Sequence, residues 1–308
     1  MIRISNNKPK PFLKWAGGKT QLLDTIHASF PIEIANNKFT YIEPFVGSGA
    51  VLFSIINSFP NLEKAVINDV SSDLINCYKV IRKNVNELIN ILESLEKEYH
   101  QFKSKPGERK MYYYSKRELF NSRKSDLNMQ AALFIFLNRT CFNGLYRVNR
   151  NNSFNVPIGS YLTPMICDEQ NLLTVSKALE NVEILNLDFS ETENYISENT
   201  FFYFDPPYKP LSNTSSFNSY AKDVFDDSQQ KKLYEFCKKL DESQCLWMLS
   251  NSDVKSHSAD EFFDKLFEDY HIKRVKAKRS INANPSKRGE LNELIITNYQ
   301  NEQVISFA

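Results

Sequence analysis

The sequence predicts an α/β protein whose central sheet is mostly parallel. Its clearest strand is the run of residues 201–204, because four consecutive aromatic residues suit a strand that is buried on both faces. A second strand, at residues 39–42, leads into a glycine-containing loop and then into an apolar helix. Strands that alternate with helices in this way form parallel sheets with helices packed on their faces.

Length and composition agree with one large domain, or with one domain that carries a sizeable insertion. The chain has 308 residues, and its hydrophobic content of 42% is ample for a core. It contains no run of about 18 apolar residues, and its polar, basic start lacks the apolar stretch of a secretory signal. Five scattered cysteines and four scattered histidines show no metal-ligand spacing. We therefore expect reduced thiols, no metal, no membrane span and a cytoplasmic location.

The first glycine-containing segment, residues 12–20, has the sequence FLKWAGGKT. Its last three residues imitate the end of a phosphate-binding P-loop. The first glycine of that motif would fall at Leu13, however, and no strand clearly precedes the segment. The sequence therefore argues against a nucleoside triphosphatase.

The second glycine-containing segment, EPFVGSG from Glu43 to Gly49, follows the strand at 39–42. A strand, a glycine loop and a helix in this order open a Rossmann-like βα unit. Another strand, at 64–67, ends in Asn68 and Asp69. Asp69 lies twenty residues after Gly49, the distance at which an acidic residue of that unit binds ribose hydroxyls. A tight turn followed by a helix N-cap is the alternative explanation.

Residues 73–138 have a helical pattern, interrupted by a charged break at 103–110 that contains proline and glycine. Beyond them, the pair Asn151-Asn152 between two short alternating runs predicts a β-hairpin. Three arginines and three aromatic residues are interleaved around it: Arg139, Arg147, Arg150, Phe142, Tyr146 and Phe154. Such side chains on a hairpin suit a groove of DNA. An exposed, solvated hairpin explains the pattern equally well.

After residue 165 the alternation of helices and strands resumes, with a helix to 179, a strand at 182–187 and the pair Asp188-Phe189. The aromatic strand then runs into Asp205-Pro206-Pro207-Tyr208. The prolines end the strand and hold Asp205 at its carboxyl end, where open α/β sheets bind ligands.

Residues 209–222 are rich in serine and asparagine and predict a mobile lid. A helix at 228–240, a buried strand at 245–249, a helix at 259–267 and strands at 270–279 and 291–299 complete the chain. The last part carries seven cations: Lys273, Arg274, Lys276, Lys278, Arg279, Lys287 and Arg288. Because the net charge is only +1, a polyanion has to be met by a local patch such as this one.

The proline turn suits one difficult reaction, the alkylation of the exocyclic amine of a nucleobase. This amine is a poor nucleophile because its lone pair is delocalised into the ring. The Asp205 carboxylate and the Pro206 carbonyl can each accept one N–H, which favours a tetrahedral nitrogen with its lone pair aimed at an incoming methyl group. Tyr208 can stack on the base. A strand that simply ends in a rigid turn is the alternative for these residues taken alone.

Taken together and in this order, the segments resemble the DNA adenine methylase (Dam) family of N6-adenine DNA methyltransferases of the D12/alpha class. The resemblance runs from about residue 11 to residue 299. It rests on residues 12–19, 43–49, 68–69, 138–147, 154–159 and 205–208. Two features depart from the family pattern. Leu187 stands where the family often has glycine, and the segment at 103–110 is longer than the family needs.

The resemblance implies a Rossmann-like sheet that binds S-adenosylmethionine (AdoMet), with an inserted helical DNA-recognition domain that carries the hairpin. The catalytic domain would comprise residues 1–72 and 166–308, and the target-recognition domain residues 73–165. The implied catalytic residues are Asp205, Pro206, Pro207 and Tyr208. The implied AdoMet-binding residues are Trp15, Ala16, Gly17, Lys19, Glu43, Pro44, Phe45, Gly47, Gly49, Asp69, Asp188, Phe189 and Asp205. The implied DNA-binding residues are Lys14, Arg139, Phe142, Asn143, Leu145, Arg147, Asn155 and Pro157.

We therefore expect a site-specific adenine-N6 methyltransferase that transfers a methyl group from AdoMet to a flipped adenine in double-stranded DNA, within GATC. A cognate restriction endonuclease acting on the same site is a further candidate partner. N4-cytosine or RNA methylation stays open, because those targets also present an exocyclic amine. A DNA-binding module that lost the chemistry is the non-enzymatic alternative, against which the intact residues 205–208, the glycine loop and Asp69 argue.

Overall fold

A computed structural model describes residues 8–15, 17–209, 225–258, 260–278 and 290–300. Several sequence predictions lie outside these residues: the role of Ala16, all of the lid predicted at 209–222 except Lys209, the start of the last helix at Ala259, and the cations Arg279, Lys287 and Arg288.

The elements alternate between strands and helices, as the sequence predicts. The strands are β1 (Phe39–Glu43), β2 (Leu62–Asn68), β3 (Val182–Leu185), β4 (Thr200–Phe204), β5 (Leu246–Ser252), β6 (His271–Lys278) and β7 (Glu290–Thr297). The helices are α1 (Leu23–His27), α2 (Ile32–Asn36), α3 (Ala50–Ser58), α4 (Ser72–Gln101), α5 (Pro106–Ser122), α6 (Leu127–Thr140), α7 (Glu169–Ala178), α8 (Asp227–Glu242), α9 (Lys255–Ser258) and α10 (Phe262–Leu266). Short 3-10 helices span Lys19–Gln21, Phe142–Gly144 and Phe189–Tyr195.

The seven strands form one sheet in the order β3-β2-β1-β4-β5-β7-β6. Strands β1 to β5 pair in parallel, and β7 runs antiparallel to both of its neighbours. The predicted Rossmann-like architecture is thereby confirmed. The aromatic strand β4 lies in the middle with every residue buried. Phe201 and Tyr203 pack with residues of α3 and α4 on one face, and Phe202 and Phe204 pack with residues of α8 and α10 on the other.

The strand order reverses between β1 and β4. From β1 the chain moves outward through β2 to β3, whereas from β4 it moves the other way to β5. Loops that leave the carboxyl ends of two such strands diverge and open a crevice, which is where open α/β sheets bind ligands. The glycine loop after β1 and the Asp-Pro-Pro-Tyr segment after β4 therefore border the same crevice.

The crossover from β2 to β3 contains α4, α5, α6 and α7 and the predicted hairpin. Ser71 caps the start of helix α4, since its hydroxyl accepts the N–H of Leu74. The helix has non-helical backbone angles at Asn84. Helix α6 is buried on nearly all sides because α4 and α5 pack against it. These helices share one continuous core with the sheet, in which Leu88 and Phe136 belong to the same cluster as Tyr41.

The structure corrects three details of the sequence predictions. The break predicted at 103–110 is shorter, because Pro106 occupies the first turn of α5, where its missing N–H leaves no bond unmade. The arms of the hairpin are joined by isolated bridges between Val148 and Phe154 and between Cys141 and Ile158, rather than by continuous strands. The helix predicted at 259–267 is shorter and corresponds to α10, while the separate short helix α9 at Lys255–Ser258 was not predicted.

The aromatic residues of the hairpin divide between its two faces. Tyr146 and Phe154 are buried against Phe134 and Phe120, so the interpretation that they face a DNA groove is wrong. Phe142 is 44% exposed. Alternating residues of a hairpin point to opposite sides, and the side that carries Tyr146 and Phe154 completes the helical core.

In the part of the chain that the structure describes, no helix is long and apolar enough to cross a membrane.

Candidate active site

The glycine loop after β1 depends on two glycines with positive φ, Gly47 at 50° and Gly49 at 76°. A Cβ atom on Gly49 would lie 2.6 Å from the Tyr78 hydroxyl oxygen, so a larger residue has no room there. That hydroxyl donates to the Gly47 carbonyl at 2.9 Å. Helix α4 thus holds the loop in place from the side that faces the core.

Asn68, at the end of β2, joins the loops that follow three neighbouring strands. Its side-chain nitrogen donates to the carbonyls of Pro44 and Leu187, each at 3.1 Å, and its side-chain oxygen accepts the N–H of Leu187 at 2.8 Å. Asn68 is 1% exposed. The backbone of Leu187 makes two of these bonds, so the loop after β3 is held at the crevice although this chain has leucine where the family often has glycine.

Asp69 links the glycine loop to α4. One carboxylate oxygen accepts the Gly47 N–H at 3.2 Å, and the other accepts the Ser71 N–H at 2.9 Å. Burial raises the pKa of Asp69 to about 6, although both hydrogen bonds act in the opposite direction. The bond to Ser71 is the turn contact expected if Asp69 only ends a tight turn before a helix. The bond to Gly47 also places the carboxylate beside the glycine loop, as expected for a residue that binds ribose hydroxyls.

Glu43 and Trp15 border the same loop. Glu43 is buried and accepts the Tyr41 hydroxyl at 2.8 Å, and burial raises the pKa of Glu43 well above its usual value. A Cβ atom on Gly47 would lie 3.0 Å from the indole nitrogen of Trp15, so the ring lies against the loop. On its other side Trp15 stacks on Tyr146, with ring centroids 5.6 Å apart. Trp15 therefore connects the glycine loop to the hairpin.

Aromatic rings form the wall on the β3 side. Phe45 from the glycine loop lies 5.4 Å from Phe189 and 5.6 Å from Phe225, centroid to centroid. Asp188, just before Phe189, accepts the Ser190 N–H at 3.0 Å and pairs with Lys232 at 3.0 Å. Although partial burial acts against it, these hydrogen bonds lower the pKa of Asp188, which keeps the carboxylate ionised.

Asp205, at the carboxyl end of β4, forms an ion pair that the sequence did not reveal. The Lys19 ammonium lies 2.7 Å from its Oδ1 and also donates to the Gly17 carbonyl at 3.0 Å. Lys19 is 3% exposed, and the Asp205 side chain is 21% exposed. The net result is a pKa of about 6 for Asp205. Burial is the main cause of this rise and the carboxylate of Glu293 adds to it, whereas Lys19 acts in the opposite direction.

Tyr208 is held by two contacts. Its hydroxyl donates to Oε2 of Glu293 at 2.6 Å, and the Lys19 ammonium lies 4.5 Å from its ring centroid. Burial and the carboxylates of Asp205 and Glu293 raise the pKa of Tyr208 well above its usual value, so the phenol keeps its proton. Sequence reasoning missed Glu293, which lies 85 residues further along the chain on β7.

The backbone of the proline turn has its own anchors. Gln230 of α8 donates to the Pro207 carbonyl at 3.1 Å, and Asn251 at the end of β5 donates to the Gln230 side chain at 3.2 Å. Gln230 and Asn251 are both buried. The Ser252 hydroxyl donates to the Lys209 carbonyl at 3.1 Å. All three residues were also missed as parts of the site, although for Asn251 and Ser252 the place at the carboxyl end of a strand is the signal that could have found them.

Asn138, at the end of α6, joins two of the predicted DNA-binding segments. Its side chain accepts the Lys14 N–H and donates to the Lys14 carbonyl, both at 2.8 Å, and it donates to the Gly144 carbonyl at 2.9 Å. Lys14 and the turn that contains Phe142 and Asn143 are therefore neighbours. The Lys14 ammonium lies 4.1 Å from the ring centroid of Tyr161.

Arg139 and Arg147 occupy very different surroundings. Arg139 donates to the Phe12 carbonyl at 2.8 Å and lies partly buried in the wall between α6 and the N-terminal segment. Arg147 is exposed, and its Nε donates to the Asn155 side chain at 2.7 Å across the hairpin.

Among the other predicted DNA-binding residues, Leu145 is half-buried and Pro157 is exposed, and the Pro157 carbonyl accepts the Phe142 N–H at 2.9 Å. In the cationic C-terminal part, Arg274 is bonded to both oxygens of Asp264 and to Asp253.

Comparison with known proteins identifies the family of this protein. The model of the D12 class N6 adenine-specific DNA methyltransferases matches residues 15–281. The chain belongs to this family. The methyltransferase is 49% identical to Type II methyltransferase M.MjaIII of Methanocaldococcus jannaschii over 94% of its own length and 99% of the relative's. It is 38% identical to Type II methyltransferase M1.LlaDCHI of Lactococcus lactis subsp. cremoris (95% and 96% covered) and 37% identical to the DNA adenine methylase of Haemophilus influenzae (94% and 93%).

Membership decides between the possible target bases that the sequence left open. The family is specific for adenine in DNA, which excludes cytosine and RNA as the expected targets of the methyltransferase.

Within the described residues, no three His, Cys, Asp or Glu side chains are grouped so that they could hold a metal ion.

Proposed function

We propose that the methyltransferase transfers a methyl group from AdoMet to the N6 amine of a flipped adenine in duplex DNA, within the sequence GATC. One observation carries the proposal: the glycine loop after β1 and the Asp-Pro-Pro-Tyr segment after β4 border the crevice where the strand order reverses. A methyl donor bound on the first segment and a base bound on the second would meet there.

The target amine would be activated by two acceptors. The Asp205 carboxylate accepts one N–H and the Pro206 carbonyl accepts the other, which draws the nitrogen towards a tetrahedral form. Lys19 keeps one oxygen of Asp205 engaged, so the second oxygen is the acceptor for the amine. Gln230 and the prolines hold these groups rigidly, so little reorganisation is needed during the reaction.

The residues around the glycine loop fit AdoMet. Gly47 and Gly49 provide a backbone that a ligand can approach closely. A Cβ atom on Gly49 would collide with Tyr78, and one on Gly47 would crowd Trp15. The Asp69 carboxylate suits the ribose hydroxyls, and Asp188 with Phe45 and Phe189 suits an adenine ring and its amine. AdoMet supplies a methyl group activated by a sulfonium. We include Pro44, which is part of this loop, and Glu43, from which the loop starts. We also include Gly17, whose carbonyl accepts a hydrogen bond from Lys19 beside Asp205.

Sequence recognition is assigned to the inserted segment, residues 73–165, together with Lys14. Arg147 is the principal reader. Its Nε is engaged by Asn155, which leaves the two terminal nitrogens to pair with O6 and N7 of a guanine. We include Phe142, Asn143, Leu145 and Pro157 in the recognition surface because Phe142 and Pro157 are exposed and the Phe142 N–H donates to the Pro157 carbonyl at 2.9 Å. The names of the Type II relatives also make a cognate endonuclease with the same target a reasonable partner.

The direct test combines base identity and context. Genomic DNA that lacks methyladenine is incubated with the protein and AdoMet, and modified bases are then mapped by single-molecule sequencing. Methylated adenine confined to GATC supports the proposal. Modification of another sequence would overturn the GATC assignment, and a complete lack of AdoMet-dependent methylation would overturn the catalytic one.

Asp69→Asn is expected to weaken AdoMet binding by about 1 kcal/mol, or roughly fivefold, because a charged acceptor for the ribose becomes a neutral one. Calorimetric titration with AdoMet measures the change. Asp269→Asn, at an exposed aspartate far from the crevice, serves as the matched control. Unchanged affinity in Asp69→Asn would show that Asp69 only caps the turn.

The rate should depend on pH because Asp205 has to be ionised to accept the amine. Its pKa of about 6 means that the carboxylate is charged at pH 8 and mostly protonated at pH 5. At saturating AdoMet, kcat/KM for DNA is therefore expected to fall below pH 6, by about tenfold per pH unit. Asp69→Asn should keep this midpoint. A flat profile down to pH 5 with folded protein would contradict the assignment.

A further inference from the structure

Glu293 lies in the active site, although its place in the sequence gives no sign of it. It is on β7, where it pairs in register with Ser252 of β5 and Val275 of β6. Its side chain is 18% exposed. The bond from the Tyr208 hydroxyl to Oε2 is 2.6 Å long, which is typical of an O–H group donating to a carboxylate.

We propose that Glu293 is a positioning residue, which holds the Tyr208 ring as the surface on which the target adenine stacks. This inference rests on the proposed function, because it concerns the same base and the same reaction. Glu293 would not touch the base. It acts through the hydroxyl of Tyr208.

Two contacts at different points of the ring make the positioning effective. A hydrogen bond at the hydroxyl alone would let the ring turn about its long axis. The Lys19 ammonium, 4.5 Å from the centroid, occupies one face and so opposes that rotation. The flipped base is thereby directed to the opposite face. Tyr208 can serve in this way because burial and the neighbouring carboxylates raise its pKa well above the usual value, so that its hydroxyl stays a hydrogen-bond donor.

The same cation connects the stacking surface to the acceptor of the amine. The Lys19 ammonium is 2.7 Å from Asp205 and 3.8 Å from Oε2 of Glu293, so it lies between the two carboxylates. Glu293 therefore fixes the tyrosine relative to Asp205. This matters because a displacement of about 1 Å between reacting groups can cost a factor of about 10² in rate.

Four variants test the proposal: Glu293→Ala, Glu293→Gln, Tyr208→Phe and the double variant Glu293→Ala/Tyr208→Phe. Glu293→Ala removes the acceptor, and we expect kcat to fall by about 10- to 100-fold with KM for DNA and AdoMet changed less than about threefold. Glu293→Gln retains an acceptor oxygen, so kcat should stay within about threefold of the wild type. Once Tyr208→Phe has removed the donor, the additional loss from Glu293→Ala should be about twofold or less.

A spectroscopic measurement reports the ring position directly. A duplex with 2-aminopurine at the target adenine is bound by each variant in the presence of AdoMet. The fluorescence of this base is quenched when it stacks on an aromatic ring. We expect stronger fluorescence with Glu293→Ala than with the wild type and wild-type quenching with Glu293→Gln.

The outcomes separate cleanly. Glu183→Ala, at an exposed strand glutamate, is the control for loss of a carboxylate elsewhere, and thermal unfolding confirms that each variant is folded. If both Glu293 variants remain active, the residue positions nothing. If both lose activity equally, the charge matters rather than the bond to Tyr208, and the proposal is again overturned. A wild-type protein without methylation activity would instead overturn the proposed function.

Discussion

Asp205→Ala is expected to lower the rate constant for methyl transfer by a factor of about 10²–10³, with AdoMet and duplex DNA still bound. The carboxylate supplies a hydrogen bond that strengthens as the target nitrogen becomes tetrahedral. Its loss therefore affects the transition state more than the bound complex. Single-turnover methylation of a short GATC duplex measures the rate constant without a contribution from product release.

The fold should survive this substitution because the Lys19 ammonium retains Glu293 at 3.8 Å and the Gly17 carbonyl at 3.0 Å. Asp227→Ala is the matched control, since Asp227 pairs with Lys209 beside the same turn but is largely exposed. We expect it to change the rate by less than about twofold. An Asp205→Ala protein that keeps near-normal turnover would exclude the amine-activation mechanism.

The sheet and the loops at its edge were predictable because local signals determine them. Four aromatic residues followed by two prolines identify β4 and its end, and the glycines of the loop identify the start of α3 at Ala50. Asp69 was predicted by its distance from Gly49, and the structure places its carboxylate on the loop, bonded to Gly47. In each case the residues that matter are close together in sequence.

The parts of the site that the sequence did not predict depend on contacts between residues that are distant in the chain. Lys19 of the N-terminal segment meets Asp205 at the carboxyl end of β4, and Glu293 reaches Tyr208 from the antiparallel strand β7. No pattern within either segment encodes such a meeting. The prediction that Tyr146 and Phe154 face DNA was wrong for a different reason. The alternation of the hairpin shows that two faces exist, but only the packing of Phe120 and Phe134 determines that Tyr146 and Phe154 point inward.

Arg147→Ala is expected to relax sequence specificity. Guanine recognition by an arginine discriminates by about 1–3 kcal/mol, so sites that differ from GATC at the guanine should gain roughly 5- to 150-fold relative to GATC. Activity on GATC itself should fall, because the same contact also contributes affinity. The measurement compares kcat/KM on GATC with kcat/KM on duplexes that replace the guanine with each other base.

Two neighbouring residues sharpen this test. Asn155→Ala removes the acceptor that holds Nε of Arg147, so it should relax specificity in the same direction but by a smaller factor. Arg150→Ala, at an exposed arginine three positions further along, should instead weaken all sequences alike and reduce the salt dependence of binding, as loss of a phosphate contact does. If Arg147→Ala also lowers activity on every duplex by one common factor, then Arg147 contacts the backbone. In that case the guanine would have to be read by another residue, such as Lys14, which Asn138 holds beside the Phe142 turn.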